Sequence, residues 1–228
     1  HMPHRLGSAF DSADAKSRYV RRLFSTIADR YDLITVLLSY GQDRRWKRRL
    51  VAMAPISPGV RVLDLACGTG DITYAVADAG ASSVGLDITA RMVEIARGKR
   101  PSATTSRFLV GDMMALPFGD ETFDVVTTGY GIRNVPVIAE AVAEIARVLR
   151  PGGVLLSLDF DRPSNALIRA AYLVYLTVVG STMGFVLHGD PDTYRYIPES
   201  IRRYPGAEGV CGIVRERGGP AGTILKGG

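Results

Sequence analysis

The chain has 228 residues with a formal net charge of +5, and 46% of the residues are hydrophobic. This length and composition suit one α/β domain with a full core. The two cysteines, Cys67 and Cys211, exclude a disulfide framework and a metal cluster built on cysteine. This low cysteine count fits a reducing cytoplasm, so we expect a cytoplasmic protein, and we expect no metal site. The sequence contains no signal-peptide pattern, repeat or low-complexity tract.

The positive charge is concentrated near the beginning of the chain. The first 50 residues hold 11 of the 28 Lys and Arg residues but only 5 of the 23 Asp and Glu residues. Such a segment is attracted to an anionic membrane surface or to nucleic acid, although a solvated helix face has the same composition. The basic side chains concerned are chiefly Arg18, Arg21, Arg22, Arg44, Arg45, Lys47, Arg48 and Arg49.

Residues 17–50 are predicted to form helices outside the sheet. Apolar side chains recur at three- and four-residue steps, which places one set on a common helix face: Val20, Leu23, Phe24, Ile27 and Tyr31. The stretch from Pro55 to Gly59 then interrupts the helical pattern. We therefore expect a helical cap over 1–55 that belongs to the same domain as residues 56–228.

From Arg61 onwards the pattern alternates between strand and helix. Strands are predicted at 61–65, 83–87, 106–110, 123–128 and 153–159, with helices at 71–79, 90–97 and 137–149. This alternation is typical of a doubly wound, Rossmann-like α/β fold with a mostly parallel sheet covered on both faces. Ligands bind beyond the carboxyl ends of such strands, where the sequence places Gly68, Asp87, Asp112 and Gly129.

A glycine-containing loop follows the first strand and begins the next helix. Gly68 and Gly70 allow a tight turn that brings backbone N–H groups close to a ligand. Asp87 ends the second strand, where an acid accepts the hydroxyls of a ribose. The third glycine of a dinucleotide fingerprint is replaced by Thr73, and Asp64 before the loop would repel a pyrophosphate. The pattern therefore favours a positively charged nucleoside, S-adenosylmethionine, over a dinucleotide.

Two further loops carry candidate ligands. Asp112, followed by Met113, is placed to accept the exocyclic amine of adenine, although Asp is also common in ordinary turns. The loop after the fourth strand lacks the Asn/Asp-Pro-Pro-aromatic motif of enzymes that methylate exocyclic nitrogen. Arg133 and Asn134 lie there instead. We expect Arg133 either to stabilise a phenolate or to position a water that takes the phenol proton. A salt bridge between Arg133 and a loop acid is the alternative.

Ala170 to Leu187 is a run of 18 residues without a charge. Its length reaches the lower limit for a membrane-spanning helix, but it contains two glycines and several hydroxyls and directly follows a sheet strand. We interpret it as an apolar lid or substrate wall within an insertion at about 161–205. A lid that lies against a membrane remains an alternative.

Three segments resemble the ubiquinone/menaquinone biosynthesis C-methyltransferase family. The first is Phe24 to Leu33, with Ser39-Tyr40-Gly41 and Trp46-Lys47-Arg48. The second is Gly131 to Val135, with Arg147 to Gly153, and the third is Asp192 to Ile201. Together with the glycine loop these segments span about residues 20–217. Thr35 and Asp159 depart from the Asn and Glu that the family usually has, and the family's final strand with its His is missing.

The resemblance implies a class I methyltransferase fold with a seven-stranded sheet, of which the last strand is incomplete here, and a helical lid after strand five. It implies that Tyr31 closes over S-adenosylmethionine, which is converted to S-adenosylhomocysteine, and that a ring carbon of a prenylated quinol is methylated. The cofactor residues expected from the sequence and the resemblance together are Tyr31, Asp64, Gly68, Thr69, Gly70, Asp87, Ile88, Asp112, Met113 and Gly129.

The expected catalytic residues are Arg133 and Asn134, with Asp159 and His188 as further candidates for the base. The expected partner is a lipophilic quinol or phenol, specifically demethylmenaquinol or a ubiquinol precursor. Peripheral contact with an anionic membrane at its inner face and a homodimer are both compatible with the sequence. A methyltransferase acting on another phenolic or polyketide molecule is the main alternative. A nucleic-acid-binding protein ranks below it, and we expect no nucleic-acid partner.

Overall fold

Three helices precede the sheet in this computed structural model, which describes residues 6–39, 41–100, 105–160, 165–206, 209–212 and 223–227. Helix α1 (Ala13–Ile27) begins at Ser12, whose side-chain oxygen accepts a hydrogen bond from the Ala15 N–H at 3.1 Å. A 3-10 turn then leads into α2 (Tyr31–Leu38), and α3 is Asp43–Met53. The helical cap expected from the apolar spacing is therefore present.

The sheet contains six parallel strands in the order β3-β2-β1-β4-β5-β6 over the described ranges. The first four are β1 (Arg61–Leu65), β2 (Ser82–Asp87), β3 (Ser106–Val110) and β4 (Phe123–Gly129). They lie within one residue of the predicted bounds. The chain order reverses between β1 and β4, so the carboxyl ends of these two strands form the crevice in which open α/β sheets bind ligands.

The fifth strand is longer than predicted. Strand β5 runs over Leu149–Phe160 because Leu149 already pairs with Phe123, and the register shifts before Val125 pairs with Val154. Strand β6 (Thr223–Gly227) lies parallel to β5 at the sheet edge. The seventh strand implied by the resemblance is not among the described residues.

Helices cover both faces of the sheet, as the doubly wound interpretation requires. They are α4 (Asp71–Asp78), α5 (Ala90–Lys99), α6 (Ile138–Val148), α7 (Ala166–His188) and α8 (Tyr196–Arg203). One core cluster joins α1, α2, α7 and α8 to the sheet through residues such as Leu23, Ile34 and Leu156. A second cluster joins α6 to the opposite face through Val126 and Ile145, and two smaller clusters lie outside these.

Helix α7 contains the uncharged run that the sequence singled out. Its inner face carries the buried residues Leu176, Gly180, Met183 and Gly184. At Gly180 an added Cβ would lie 3.2 Å from the Cβ of Tyr194, so this face packs closely against the segment that leads into α8. The helix is long and apolar enough to cross a membrane by length and composition, although 22% of the most apolar window is buried in the protein.

Candidate functional site

A cleft of about 1100 Å³, counting the space open to solvent, lies beyond the carboxyl ends of the strands. Its floor is formed by the loops after β1, β2, β3 and β4, and its roof by α1 and α2. The floor residues include Ala66, Gly68, Asp87, Ile88, Asp112, Met113, Gly129, Tyr130, Gly131, Arg133 and Asn134. The roof residues include Val20, Leu23, Phe24, Ile27, Tyr31, Ile34, Thr35 and Leu38. This size suits a cofactor together with part of a second substrate.

The glycine loop is built on positive backbone angles. Gly68 and Gly70 have φ values of +52° and +88°, and Ala66 adopts φ +50° although it carries a side chain. An added Cβ at Gly70 would lie 2.9 Å from the Phe108 ring. Gly70 lines neither of the two cavities described at this edge, and its contact with a cofactor stays a prediction.

Asp87 is fixed at the end of β2 by two backbone donors. Its Oδ2 accepts the Gly68 N–H at 2.9 Å, and its Oδ1 accepts the Thr89 N–H at 2.8 Å. Burial raises the pKa of this carboxyl above its ordinary value, while the two N–H donors oppose the shift. Each carboxylate oxygen has a second lone pair available, so Asp87 is suited to accept two ribose hydroxyls from the cleft.

Asp112 occupies the corresponding place after β3. Its Oδ1 accepts the Met114 N–H at 2.9 Å, and its side chain lines the cleft together with Met113 and Ile88. An acceptor between two apolar side chains fits the exocyclic amine and the faces of an adenine ring. Gly129 lines the same cleft from the end of β4. The structure thus brings six of the predicted cofactor residues to one edge of the sheet: Gly68, Asp87, Ile88, Asp112, Met113 and Gly129.

Asp64 lines a second, more polar cavity of about 290 Å³ beside the glycine loop. Its two oxygens accept hydrogen bonds from Thr73 Oγ1 at 2.7 Å and Thr127 Oγ1 at 2.9 Å. Burial raises the pKa of Asp64 to about 7, and the two hydroxyl donors oppose that rise. Thr69 and Tyr31 line the same cavity. A buried carboxyl here would be stabilised as the anion by a cationic ligand.

The roof is held over the floor by polar contacts that the sequence did not reveal. Asp32 on α2 accepts a 2.6 Å hydrogen bond from Thr69 Oγ1 and forms a 2.7 Å ion pair with Lys99. Lys16 on α1 donates to the carbonyl oxygens of Arg133 at 3.0 Å and Val135 at 2.9 Å. Burial lowers the pKa of Lys16 to about 8, assisted by repulsion from Arg133 and Arg203. No local sequence pattern signals these contacts, since their partners are far apart along the chain.

Tyr31 stands directly over the glycine loop. Its Cε1 lies 3.5 Å from the position that a Cβ on Gly68 would take, and its ring lines both cavities. Lys47 lines the smaller cavity and forms ion pairs with Asp43 at 2.9 Å and Asp71 at 3.1 Å. The Asp43–Lys47 pair was detectable in the sequence as an i,i+4 pair of opposite charges on α3.

Arg133 is almost fully buried and lines the cleft. Its Nη1 pairs with Asp159 Oδ1 at 2.6 Å, and its Nε donates to Ser200 Oγ at 3.2 Å. Burial opposes the guanidinium charge, but the Asp159 carboxylate outweighs it and raises the pKa of Arg133 above its ordinary value. The salt-bridge alternative from the sequence is therefore present, with an acid from β5 rather than from a loop.

Asn134 lines the cleft and carries a buried acceptor that has no described protein partner. Its Nδ2 donates to the Tyr130 carbonyl oxygen at 3.1 Å, which fixes the orientation of the amide. The opposite atom, Oδ1, is buried without a hydrogen bond among the described residues. A buried carbonyl oxygen costs free energy when it is left unpaired, so this atom is suited to bind a donor on a ligand.

The two further base candidates lie outside the cleft lining. Asp159 is buried against Arg133, and His188 ends α7, where its Nε2 lies 2.8 Å from Tyr194 Oη. No residue of α7 is among those that line the cleft. The uncharged run of α7 is thus not part of the cleft wall, because its inner face packs against Tyr194. Ile197 on α8, which lies within the predicted insertion at 161–205, does line the cleft, and a helical lid after strand five stays a prediction.

Comparison with known proteins agrees with this arrangement. A model of the ubiE/COQ5 methyltransferase family matches residues 12–222. The chain belongs to the ubiE/COQ5 methyltransferase family. The resemblance noted in the sequence is thereby confirmed, and the chain is an S-adenosylmethionine-dependent methyltransferase.

Two curated relatives illustrate the similarity within the family. The chain is 41% identical over 199 residues to a demethylmenaquinone methyltransferase of Thermus thermophilus, covering 86% of this chain and 90% of the relative. It is 40% identical over 210 residues to the ubiquinone/menaquinone biosynthesis C-methyltransferase UbiE of Dinoroseobacter shibae, covering 90% and 84%.

Solved structures show the same fold in more distant proteins. A methyltransferase of Thermotoga maritima, described as a possible histamine N-methyltransferase, has a TM-score of 0.62 at 21% identity and covers 86% of this chain and 80% of its own. The YcgJ protein of Bacillus subtilis has a TM-score of 0.53 at 28% identity over 59% of both chains. These matches confirm the α/β methyltransferase fold of the family member described here.

Proposed function

We propose that this enzyme transfers a methyl group from S-adenosylmethionine to a ring carbon of a prenylated quinol, demethylmenaquinol or a ubiquinol precursor. The observation that carries the proposal is the family match over residues 12–222, together with relatives named for these reactions. The cleft supports it because an apolar roof faces a floor that carries acids for a nucleoside and a buried polar pair for a phenol.

The acids of the floor fit S-adenosylmethionine in two groups. Asp87 would hold the ribose hydroxyls, and Asp112, with Ile88 and Met113 beside it in the cleft lining, would accept a hydrogen bond from the adenine amine. Asp64, in the smaller polar cavity, compensates the positive charge of the ligand. When bound, the cofactor supplies a methyl group on a cationic sulfur, which is the electrophile of the reaction. Among the described residues no three His, Cys, Asp or Glu side chains are grouped to hold a metal ion.

Arg133 and Asn134 act on the phenol. Asn134 Oδ1 accepts the hydrogen bond of the ring hydroxyl, and the guanidinium of Arg133 stabilises the negative charge as the proton leaves to water. Arg133 itself cannot accept that proton, because its pKa is held above the already high value of arginine. As the methyl–sulfur bond of the cofactor breaks, the ortho carbon would form the new carbon–carbon bond. That carbon would then lose its proton to water, and the ring oxygen, again a phenolate, would take a proton back from water.

The apolar roof of the cleft suits the prenyl chain of the acceptor. Val20, Leu23 and Phe24 on α1 and Ile34 and Leu38 on α2 present apolar side chains to the cleft. They form a dry wall along which a prenyl chain lies, and they exclude water from the reacting carbon. A substrate of this kind resides in a membrane, so the enzyme is proposed to act in the cytoplasm at the membrane's inner face.

The test is turnover of a water-soluble, short-chain demethylmenaquinol, with product detected by mass spectrometry and cofactor binding by calorimetry. Asn134→Ala should lower kcat at least about tenfold while the Kd for S-adenosylmethionine changes less than twofold. Arg133→Lys should behave alike, because lysine keeps the charge but loses the planar fork. Absence of methylated product from the unaltered enzyme would contradict the proposed acceptor. An equal loss of turnover and cofactor affinity would contradict the assigned roles.

A further inference from the structure

The outer face of α7 is an apolar surface without a covering element among the described residues. Leu167, Val174, Val178 and Phe185 follow one another at steps of seven, four and seven residues, so they lie along one side of the helix. Their exposed fractions are 81%, 62%, 59% and 66%, and Val186 beside them is 70% exposed. From Leu167 to Val186 this strip is about 28 Å long.

The strip continues onto α2. Tyr175 Oη on α7 donates a hydrogen bond to the Leu37 carbonyl oxygen at 3.2 Å, which places the two helices side by side. Leu33 and Leu37 are 53% and 42% exposed, whereas Ile34 and Leu38 on the other side of α2 line the cleft. Helix α2 therefore separates the cleft from the exposed apolar surface by the thickness of one helix.

Arginines lie at one end of the α7 strip and on the helix that adjoins α2, and the exposed Asp190 follows the same end of α7. Arg30 is exposed and donates to the Leu187 carbonyl oxygen at the end of α7. Helix α3, which adjoins α2, presents exposed arginines to solvent that form no ion pair with a described carboxylate. They are Arg44, Arg45, Arg48 and Arg49.

We propose that the outer faces of α7 and α2 lie in the interfacial layer of an anionic phospholipid bilayer, with the arginines of α3 and Arg30 at the headgroups. We call this set of residues the α7–α2 surface. Contiguous exposed apolar patches of this length are rare on proteins that remain in water, and arginines beside such a patch gain free energy from anionic lipid. The proposal concerns how the enzyme is held on the membrane, and it stands on the surface alone, whichever phenol is methylated.

Two observations favour a bilayer over other arrangements. A helix that spans the bilayer would have to leave the core, since Leu176, Gly180 and Met183 are buried against the protein. A second copy of the chain seated on the same surface would bring together two chains that each carry a net charge of +5, and this repulsion opposes such a dimer. An anionic bilayer matches both the apolar strip and the charge beside it.

The experiment measures sedimentation of the intact enzyme with vesicles of phosphatidylcholine containing 30% phosphatidylglycerol, on the order of a bacterial anionic fraction. The double variant Val178→Asp, Phe185→Asp should bind at least about tenfold more weakly, because charge is costly in an interfacial apolar face. Val110→Asp is the matched control. Val110 is 53% exposed on β3, the edge strand at the far end of the sheet from β6, and its variant should bind as the unaltered enzyme does.

A second pair of variants tests the charge. Arg44→Glu, Arg48→Glu should lose most of the preference for phosphatidylglycerol vesicles, whereas Arg107→Glu on β3 should keep it. All variants should methylate the soluble short-chain quinol as the unaltered enzyme does, which separates this proposal from the proposed function. The proposal is overturned if the unaltered enzyme ignores anionic vesicles, or if the α7 double variant binds them unchanged. It is also overturned by a third outcome, in which light scattering shows that the unaltered enzyme is a dimer that does not bind vesicles. In that outcome the double variant Val178→Asp, Phe185→Asp is a monomer.

Discussion

The floor and the roof of the cleft are held together in different ways. In the floor, Asp87 binds the backbone of Gly68, 19 residues before it, and of Thr89, two residues after it. In the roof, Lys16 reaches a carbonyl 119 residues away, and Asp32 pairs with Lys99, 67 residues away. The floor is a consequence of short strand–loop–helix units, whereas the roof depends on a few long-range polar contacts that can be removed one at a time.

The largest effect is expected where the loop after β4 is joined to β5, at the buried pair of Arg133 and Asp159. Asp159→Ala leaves a buried guanidinium without its carboxylate, so we expect a loss of about 3–5 kcal/mol in the free energy of unfolding. Asp78→Ala removes the partner of Arg100, a pair in which the two side chains are 59% and 50% exposed, and should cost less than about 1 kcal/mol. Urea unfolding followed by circular dichroism measures both, and similar losses in the two variants would contradict the assignment.

A smaller effect is expected from the contact that fixes α1 over the floor. Lys16→Met removes the donor shared by the carbonyl oxygens of Arg133 and Val135, which should cost about 1–3 kcal/mol of stability. Because the roof is then less firmly held, the Kd for S-adenosylmethionine should also rise. Arg18→Met, an exposed neighbour on the same helix, is the control and should alter neither value. A variant Lys16→Met with unchanged cofactor affinity would show that α1 does not contribute to closure.

The sequence predicts the floor well and the roof poorly for a physical reason. Strand ends that carry Gly68, Asp87 and Asp112 are visible because hydrophobic periodicity fixes the strands, and parallel strands place their carboxyl ends together. The contacts of Lys16 depend on how α1 lies across the sheet, which local periodicity does not determine. The apolar run of α7 was recognised, but its position outside the cleft follows from packing against Tyr194.

The ionisation of Asp64 should make the affinity for S-adenosylmethionine depend on pH. Burial raises the pKa of its carboxyl to about 7 in the unliganded enzyme, and a cationic ligand favours the carboxylate, so binding should lower that pKa. Affinity for S-adenosylmethionine should therefore be constant above pH 7 and fall as the pH decreases below it, by up to about tenfold per unit. Calorimetric titration with S-adenosylmethionine between about pH 5.5 and 8.5, a range on both sides of the pKa of Asp64, measures this change in affinity. Asp64→Asn should flatten the profile, and a flat profile in the unaltered enzyme would contradict the prediction.

The smallest change in stability is expected from the contact between α2 and the glycine loop. Asp32→Ala removes an ion pair with Lys99. Because the Asp32 side chain is 51% exposed, the free energy of unfolding should change by at most about 1 kcal/mol. Its kinetic effect should be larger, because Thr69 loses its acceptor and Tyr31 is carried on the same first turn of α2. We expect faster dissociation of S-adenosylhomocysteine in stopped-flow experiments.

Asp29→Ala is the matched control for that experiment. Asp29 pairs with Arg91 on α5 in an exposed ion pair of the same roof, but it does not contact the glycine loop. If both variants release the product at the same increased rate, general loosening of the roof explains the effect. If only Asp32→Ala does so, the contacts of Asp32 with Thr69 and Lys99 together hold Tyr31 over the cleft, and closure of the cleft depends on this junction between α2 and the glycine loop.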